Sequence, residues 1–185
     1  MRRRVLLLGL AVSACASPEP AYYTLAAVPG TPRGGAAATV ELRRPGIAGY
    51  LDRPEIVRAS SAYRLKVATG ERWGEPFGDL FGRVLAENLN QRLTGTSVFT
   101  TAGAISAQAV VAVELDVQRF DLDAGGDVVL LVQVAISRTR RGAANTRVIR
   151  LVQRPSGPTT ADLVAAMSVA LGALANTVAD MLRHA

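Results

Sequence analysis

Two alternating apolar runs on either side of a turn constrain this chain more than any other feature. Val111, Val113, Leu115 and Val117 alternate with Ala112, Glu114, Asp116 and Gln118, and Val128, Leu130, Val132, Val134 and Ile136 repeat the pattern beyond Asp123-Ala124-Gly125-Gly126. A period of two places one set of side chains on a single strand face. The turn carries two glycines that tolerate left-handed backbone, and no helix-length connection separates the runs, so they must pair antiparallel. Arg147 to Gln153 offers a third member after the loop 140–144. The outcome is a meander with one apolar face that has to be covered.

Two helices supply the cover. Phe77, Leu80, Phe81, Val84, Leu85, Leu89 and Leu93 recur at spacings of three and four, between Pro76, which suits an opening turn, and Gly95, which suits a left-handed cap. Gly78 and Gly82 lie four apart inside this helix, where each costs about 1 kcal/mol relative to alanine. Close approach of a neighbouring backbone would explain them; a hinge or an oligomer contact is the alternative. The second stripe is Leu163, Val164, Met167, Leu171, Leu174, Val178 and Leu182, capped at Thr159 or Thr160, with Asp162 in the first turn and Ala166, Ala170, Ala173 and Ala175 narrowing the helix.

Shorter strands are expected at 22–25, 39–42, 56–58, 63–67 and 97–100, with a Pro/Gly-rich loop at 29–36. The predicted architecture is α+β, in the order β-β-β-β-α-β-β-β-β-α: a mixed, mainly antiparallel sheet with two amphipathic helices packed on one face. Glu114, Asp116, Gln118 and Gln133 line the other face, which is either wet or an assembly surface.

The N-terminus speaks to location. Arg2, Arg3 and Arg4 precede the apolar run Val5 to Ala11, the pattern of a secretory leader. Residues 5–14 make about 15 Å of helix against about 30 Å of hydrocarbon, too short to span. Val12-Ser13-Ala14-Cys15 resembles the lipobox of bacterial lipoproteins, with the chain's only cysteine at the position that takes a diacylglycerol. The expected division is a leader at 1–14, a lipidated tether at 15–21 and one domain at 22–185. Acyl chains on Cys15 would anchor the protein, since each buried methylene contributes about 0.8 kcal/mol. Ala16, where many inner-membrane lipoproteins carry aspartate, favours the periplasmic side of an outer membrane.

Composition narrows the function. Three of the 21 basic residues leave with the leader, so the excess positive charge falls from +6 to +3. The rest are scattered, with Lys66 the only lysine and no basic run interleaved with aromatics, so no nucleic-acid partner is expected. No catalytic residue, metal ligand or cofactor site is expected either. The single histidine, His184, is penultimate, and Asp116, Asp121, Asp123 and Asp127 lack the order of a calcium loop. Gly125-Gly126 precedes a strand and is no phosphate loop.

Three ordered blocks carry a family likeness. Tyr50-Leu51-Asp52-Arg53-Pro54-Glu55-Ile56-Val57, Trp73-Gly74-Glu75-Pro76-Phe77 and Arg83 to Leu89 resemble the ABC-type transport auxiliary lipoproteins, the PqiC-like family. Tyr22 to Leu25 and Val164 to Leu171 are similar to that family's ends. The chain departs from the pattern at Gly74 and Phe77, where alanine and leucine are usual, and at Ile47-Ala48-Gly49, where a proline commonly precedes the tyrosine block.

The resemblance implies a non-catalytic, outer-membrane-anchored docking subunit. Its partners would be an MCE-domain protein and inner-membrane transporter components moving lipids or other hydrophobic molecules, with a homo-oligomeric ring as one form of assembly. Tyr50, Leu51, Asp52, Arg53, Pro54 and Trp73 are the candidate partner-binding residues. Locally, Pro54 forces Arg53 extended and Trp73 suits a core plug, so the block also has a structural reading. A stand-alone periplasmic lipid carrier is the other functional reading, and it requires an enclosed apolar cavity. An envelope hydrolase lacks the groups it would need.

Overall fold

The hairpin read from the alternation forms the middle of the larger of two sheets. The computed structural model describes residues 19–34, 36–61, 63–104, 107–138 and 144–184. Strand β7 (Val111–Leu122) pairs antiparallel with β8 (Val128–Arg138), and β8 with β9 (Asn145–Gln153), in long ladders around the turn, whose Gly126 has φ +82°. Asp123 Oδ1 closes that turn by accepting from the Gly125 and Asp127 amides at 2.8 and 3.0 Å. On the other side of β7 lies β2 (Thr39–Leu42), parallel to it, followed by β6 (Ser97–Thr100); the two-residue β3 (Gly46–Ile47) also pairs with β7.

The remaining strands form a separate sheet. Strands β4 (Glu55–Ser61) and β5 (Arg64–Trp73) pair antiparallel as a hairpin, and β1 (Ala21–Tyr23) runs parallel to β5 on its other side. The strands thus divide into two sheets where one was expected, and Pro54, which cannot donate to a ladder, stands between β3 of the larger sheet and β4 of the smaller. The long ladders are antiparallel and the short ones parallel, within the α+β class read from the sequence. Strand β1 also starts one residue before the expected domain boundary.

Helices α1 (Phe77–Arg92) and α2 (Thr160–Arg183) pack against each other, with α2 lying over β8 and β9 and α1 beside β6. Pro76 stands just outside α1, with φ −53° and ψ 129°; at the other end Leu93 is the C-cap, and Gly95, expected to cap the helix, takes φ +81° in the turn that follows it. Thr159 and Asp162 form a reciprocal capping box on α2. By length and composition α2 is apolar enough to cross a bilayer, yet 61% of its most apolar window is buried inside the domain. The structure chooses the packing explanation for the α1 glycines. A Cβ on Gly78 would lie 3.3 Å from Ile47 Cγ1, and one on Gly82 3.3 Å from Pro45 Cδ, so both make room for the segment entering β3.

The Pro/Gly-rich stretch after β1 is irregular, as expected, but it is a strap bound to both helices. Leu25 is buried, the Ala26 amide donates to Ser168 Oγ at 3.1 Å, and the Val28 amide donates to Asn88 Oδ1 at 2.9 Å. Beneath it lies Arg92, only 1% exposed, donating to Val28 O at 3.0 Å, to Asn88 O at 2.9 Å and to Asn176 Oδ1 at 2.7 Å. Burial, and then the neighbouring Arg33, push the Arg92 guanidinium pKa down. The fit requires Gly30, because a Cβ there would lie 2.3 Å from Arg92 Cζ. Arg33 finishes the strap in an ion pair with Asp180 of α2.

Candidate partner-docking site

The segment after β3 turns twice before β4. Leu51 N–H donates to Ala48 O at 2.8 Å, and Arg53 N–H donates to Leu51 O at 2.9 Å. Pro54 then holds Arg53 out of the helical region, and its carbonyl accepts from the Trp73 amide at 2.7 Å, locking the turn to the end of β5. Gly74 N–H donates to Tyr23 O at 2.9 Å, so β1, β5 and the turn meet at one corner.

That corner forms a hollow of about 350 Å³, lined by Asp52, Arg53, Pro54, Glu75 and Pro76 with Trp73 and Phe77 as its floor. Its floor is rigid. Trp73 is 6% exposed and lies 5.0 Å, centroid to centroid, from Phe77, which in turn contacts Phe81 and Phe120 at 6.4 and 6.1 Å. Its rim is charged: Arg53 Nε sits 3.3 Å from Glu55 Oε2, and Glu75 is paired with Arg83 of α1.

The six residues singled out from the sequence separate by role. Asp52, Arg53 and Pro54 are exposed and line the hollow, and Trp73 contributes its floor. Leu51, 4% exposed, is a core residue. Tyr50 is half-buried and donates to Asp121 Oδ2 at 2.6 Å, while Arg119 Nε reaches Asp121 Oδ1 at 2.8 Å. Burial, and then the hydrogen bond to Asp121, push the Tyr50 pKa well above the ordinary phenol value, so the hydroxyl stays a donor. Tyr50 and Leu51 thus hold the turn from behind. Cys15 lies outside the described residues, as do the leader and the tether up to residue 18.

Among the described residues no cluster of three or more histidine, cysteine or acidic groups could hold a metal ion. The four aspartates noted above divide accordingly: Asp121 is 2% exposed and bonded to Tyr50 and Arg119, Asp123 closes its turn, Asp127 pairs with Arg154, and Asp116 is exposed on the outer sheet face. A second hollow, apolar and about 560 Å³, lies between α1 and β6 over Ala86, Val98 and Phe99 and opens to solvent.

Residues 23–179 match the model of a family described as the ABC-type transport auxiliary lipoprotein component. The chain belongs to this family. An ABC-type transport auxiliary lipoprotein is an accessory part of a transport system, so the domain works in association with a transporter. No curated protein sequence matches the chain. Among solved structures, an uncharacterized protein superimposes with a TM-score of 0.75 at 16% identity, covering 89% of this chain and 99% of its own. XCC0632 from Xanthomonas campestris gives 0.72 at 17% identity over 89% and 95%. The PelC dodecamer from Paraburkholderia phytofirmans gives 0.49 at 13% over 90% and 95%. The first two establish a shared fold.

Proposed function

We propose that this auxiliary lipoprotein is a non-catalytic docking subunit, anchored through acylated Cys15 to the periplasmic side of the outer membrane. Its partner is an MCE-domain protein of a transport system that moves lipids or other hydrophobic molecules. The observation that carries this reading is the family match across nearly the whole mature domain. The tether adds a geometric constraint. Ala21 to Tyr23 form β1, and Tyr23 pairs with Trp73 at the floor of the hollow. From Cys15 to Ala21 the chain reaches at most about 20 Å, and β1 adds about 10 Å more. A partner using the hollow therefore has to come within about 30 Å of the anchoring membrane, consistent with a protein that bridges the periplasm.

Affinity capture of the full-length lipoprotein from solubilised envelopes tests this. An MCE-domain protein is expected among the captured proteins, and the pair Asp52→Arg with Arg53→Glu should weaken its recovery while leaving the fold intact. Consistent recovery of no MCE protein would overturn the proposal. The carrier reading needs an enclosed apolar cavity, and the apolar hollow between α1 and β6 is open on one side.

A further inference from the structure

The two edges of the larger sheet are treated differently. On β6 the Asn90 side chain imitates a neighbouring strand: its Nδ2 donates to Val98 O at 2.8 Å and its Oδ1 accepts from Val98 N–H at 2.9 Å. Gly103 N–H then occupies Thr100 O at 3.0 Å. That edge is closed to a further strand. On β9, nine residues long, no strand among the described residues pairs with the outer edge.

The chemistry along β9 restricts what can pair there. Arg147 and Arg150 are exposed and make no ion pair among the described residues. Arg150 shares the outer sheet face with Val148 and Val152, which are 60% and 49% exposed. Arg147 stands on the opposite face, and a groove of about 600 Å³ between β9 and the end of α2 is lined by both arginines and by Val148. Among the described residues the one carboxylate lining that groove, Asp180, is already paired with Arg33 and Arg183. A second copy of the strand is a poor partner, because antiparallel β9 pairing would gather two arginines from each copy on one short ladder.

We infer that the free edge of β9 takes up an extended acidic segment of a partner protein by strand addition. The incoming strand carries carboxylates opposite Arg147 and Arg150 and apolar residues opposite Val148 and Val152. Main-chain hydrogen bonds supply the attachment and the alternating side chains select the register. The inference is independent of the hollow at Trp73.

The test uses the mature protein and a labelled peptide, Val-Thr-Glu-Thr-Val-Glu, whose antiparallel alignment places its residues as described. Fluorescence anisotropy should show saturable binding below about 1 mM, the scale of weak peptide recognition. Arg147→Glu with Arg150→Glu should weaken binding at least tenfold, and Arg147→Lys with Arg150→Lys should largely retain it. N-methylation of one alternate set of peptide amides should abolish binding, while methylation of the other set should not. No saturable binding would overturn the inference, as would equal tolerance of both methylated peptides or a protein that pairs with itself through β9 in sedimentation.

Discussion

Replacing Arg92 by methionine should loosen the strap and lower the stability of the whole domain. The guanidinium is 1% exposed, and its removal leaves Val28 O and Asn176 Oδ1 without their donor, whereas Asn88 Oδ1 keeps the Val28 amide. Each stranded acceptor costs about 1–3 kcal/mol when buried. Against this stands the relief of no longer burying a cation, which itself costs several kcal/mol before its bonds are counted. Asn176 is half-buried and can partly recover water, so the net loss should fall near the low end, about 2 kcal/mol. With a urea dependence of about 2 kcal/mol per molar, the unfolding midpoint should drop by about 1 M. Hydrogen exchange should show a larger rise in opening at the amides of Val28 and Arg33 than in β8. Arg92→Lys should also be destabilised, because an ammonium cannot span the same three partners. Wild-type stability in the methionine variant, with unchanged exchange in the strap, would refute the reasoning.

Tyr50→Phe removes a 2.6 Å bond to a buried carboxylate and should cost about 1.5–3 kcal/mol by urea unfolding; an unchanged midpoint would mean that Arg119 alone satisfies Asp121. Gly82→Leu should force the Pro45 segment off α1 and lower stability by about 1–3 kcal/mol, read as a fall in Tm, while the exposed Gly49→Ala should be close to neutral. Hydrogen bonds from Thr159, and then from Ser156, hold the Asp162 carboxyl below its usual pKa. A depressed folded pKa means that the ionised form stabilises the fold above the unfolded carboxylate range and that this contribution disappears as pH falls through the folded pKa. The stability gap between wild type and Asp162→Asn should therefore close on acidification in pH-dependent thermal unfolding, and a gap independent of pH would contradict it.

The larger sheet and both helices were legible because periods of two and of three to four survive in Val111–Val117, Val128–Ile136 and the stripes of α1 and α2. The two-sheet division was not, because β3 has two residues and β1 three, too short to carry a period. The strap was missed for another reason: Pro29, Gly30 and Pro32 look like any loop. What binds it is Asn88 and Arg92, polar residues four apart that continue the buried face of α1 from Phe77, Phe81 and Val84. A polar pair at apolar spacing was the available signal. At the hollow beside Trp73, Trp73 as a core plug and the Asp52-Arg53-Pro54 turn were visible from local chemistry. Their meeting was not, since it depends on the Pro54 carbonyl bonding to the Trp73 amide across the hairpin.

The account rests on a tethered domain, and intact-mass measurement of the mature protein from its native envelope tests that most directly. A polypeptide beginning at Cys15 and carrying the added mass of a diacylglycerol is the result it predicts, with Cys15→Ala accumulating as full-length precursor that takes up no labelled fatty acid. A mature form with an unmodified N-terminus, or one starting at another residue, would contradict it.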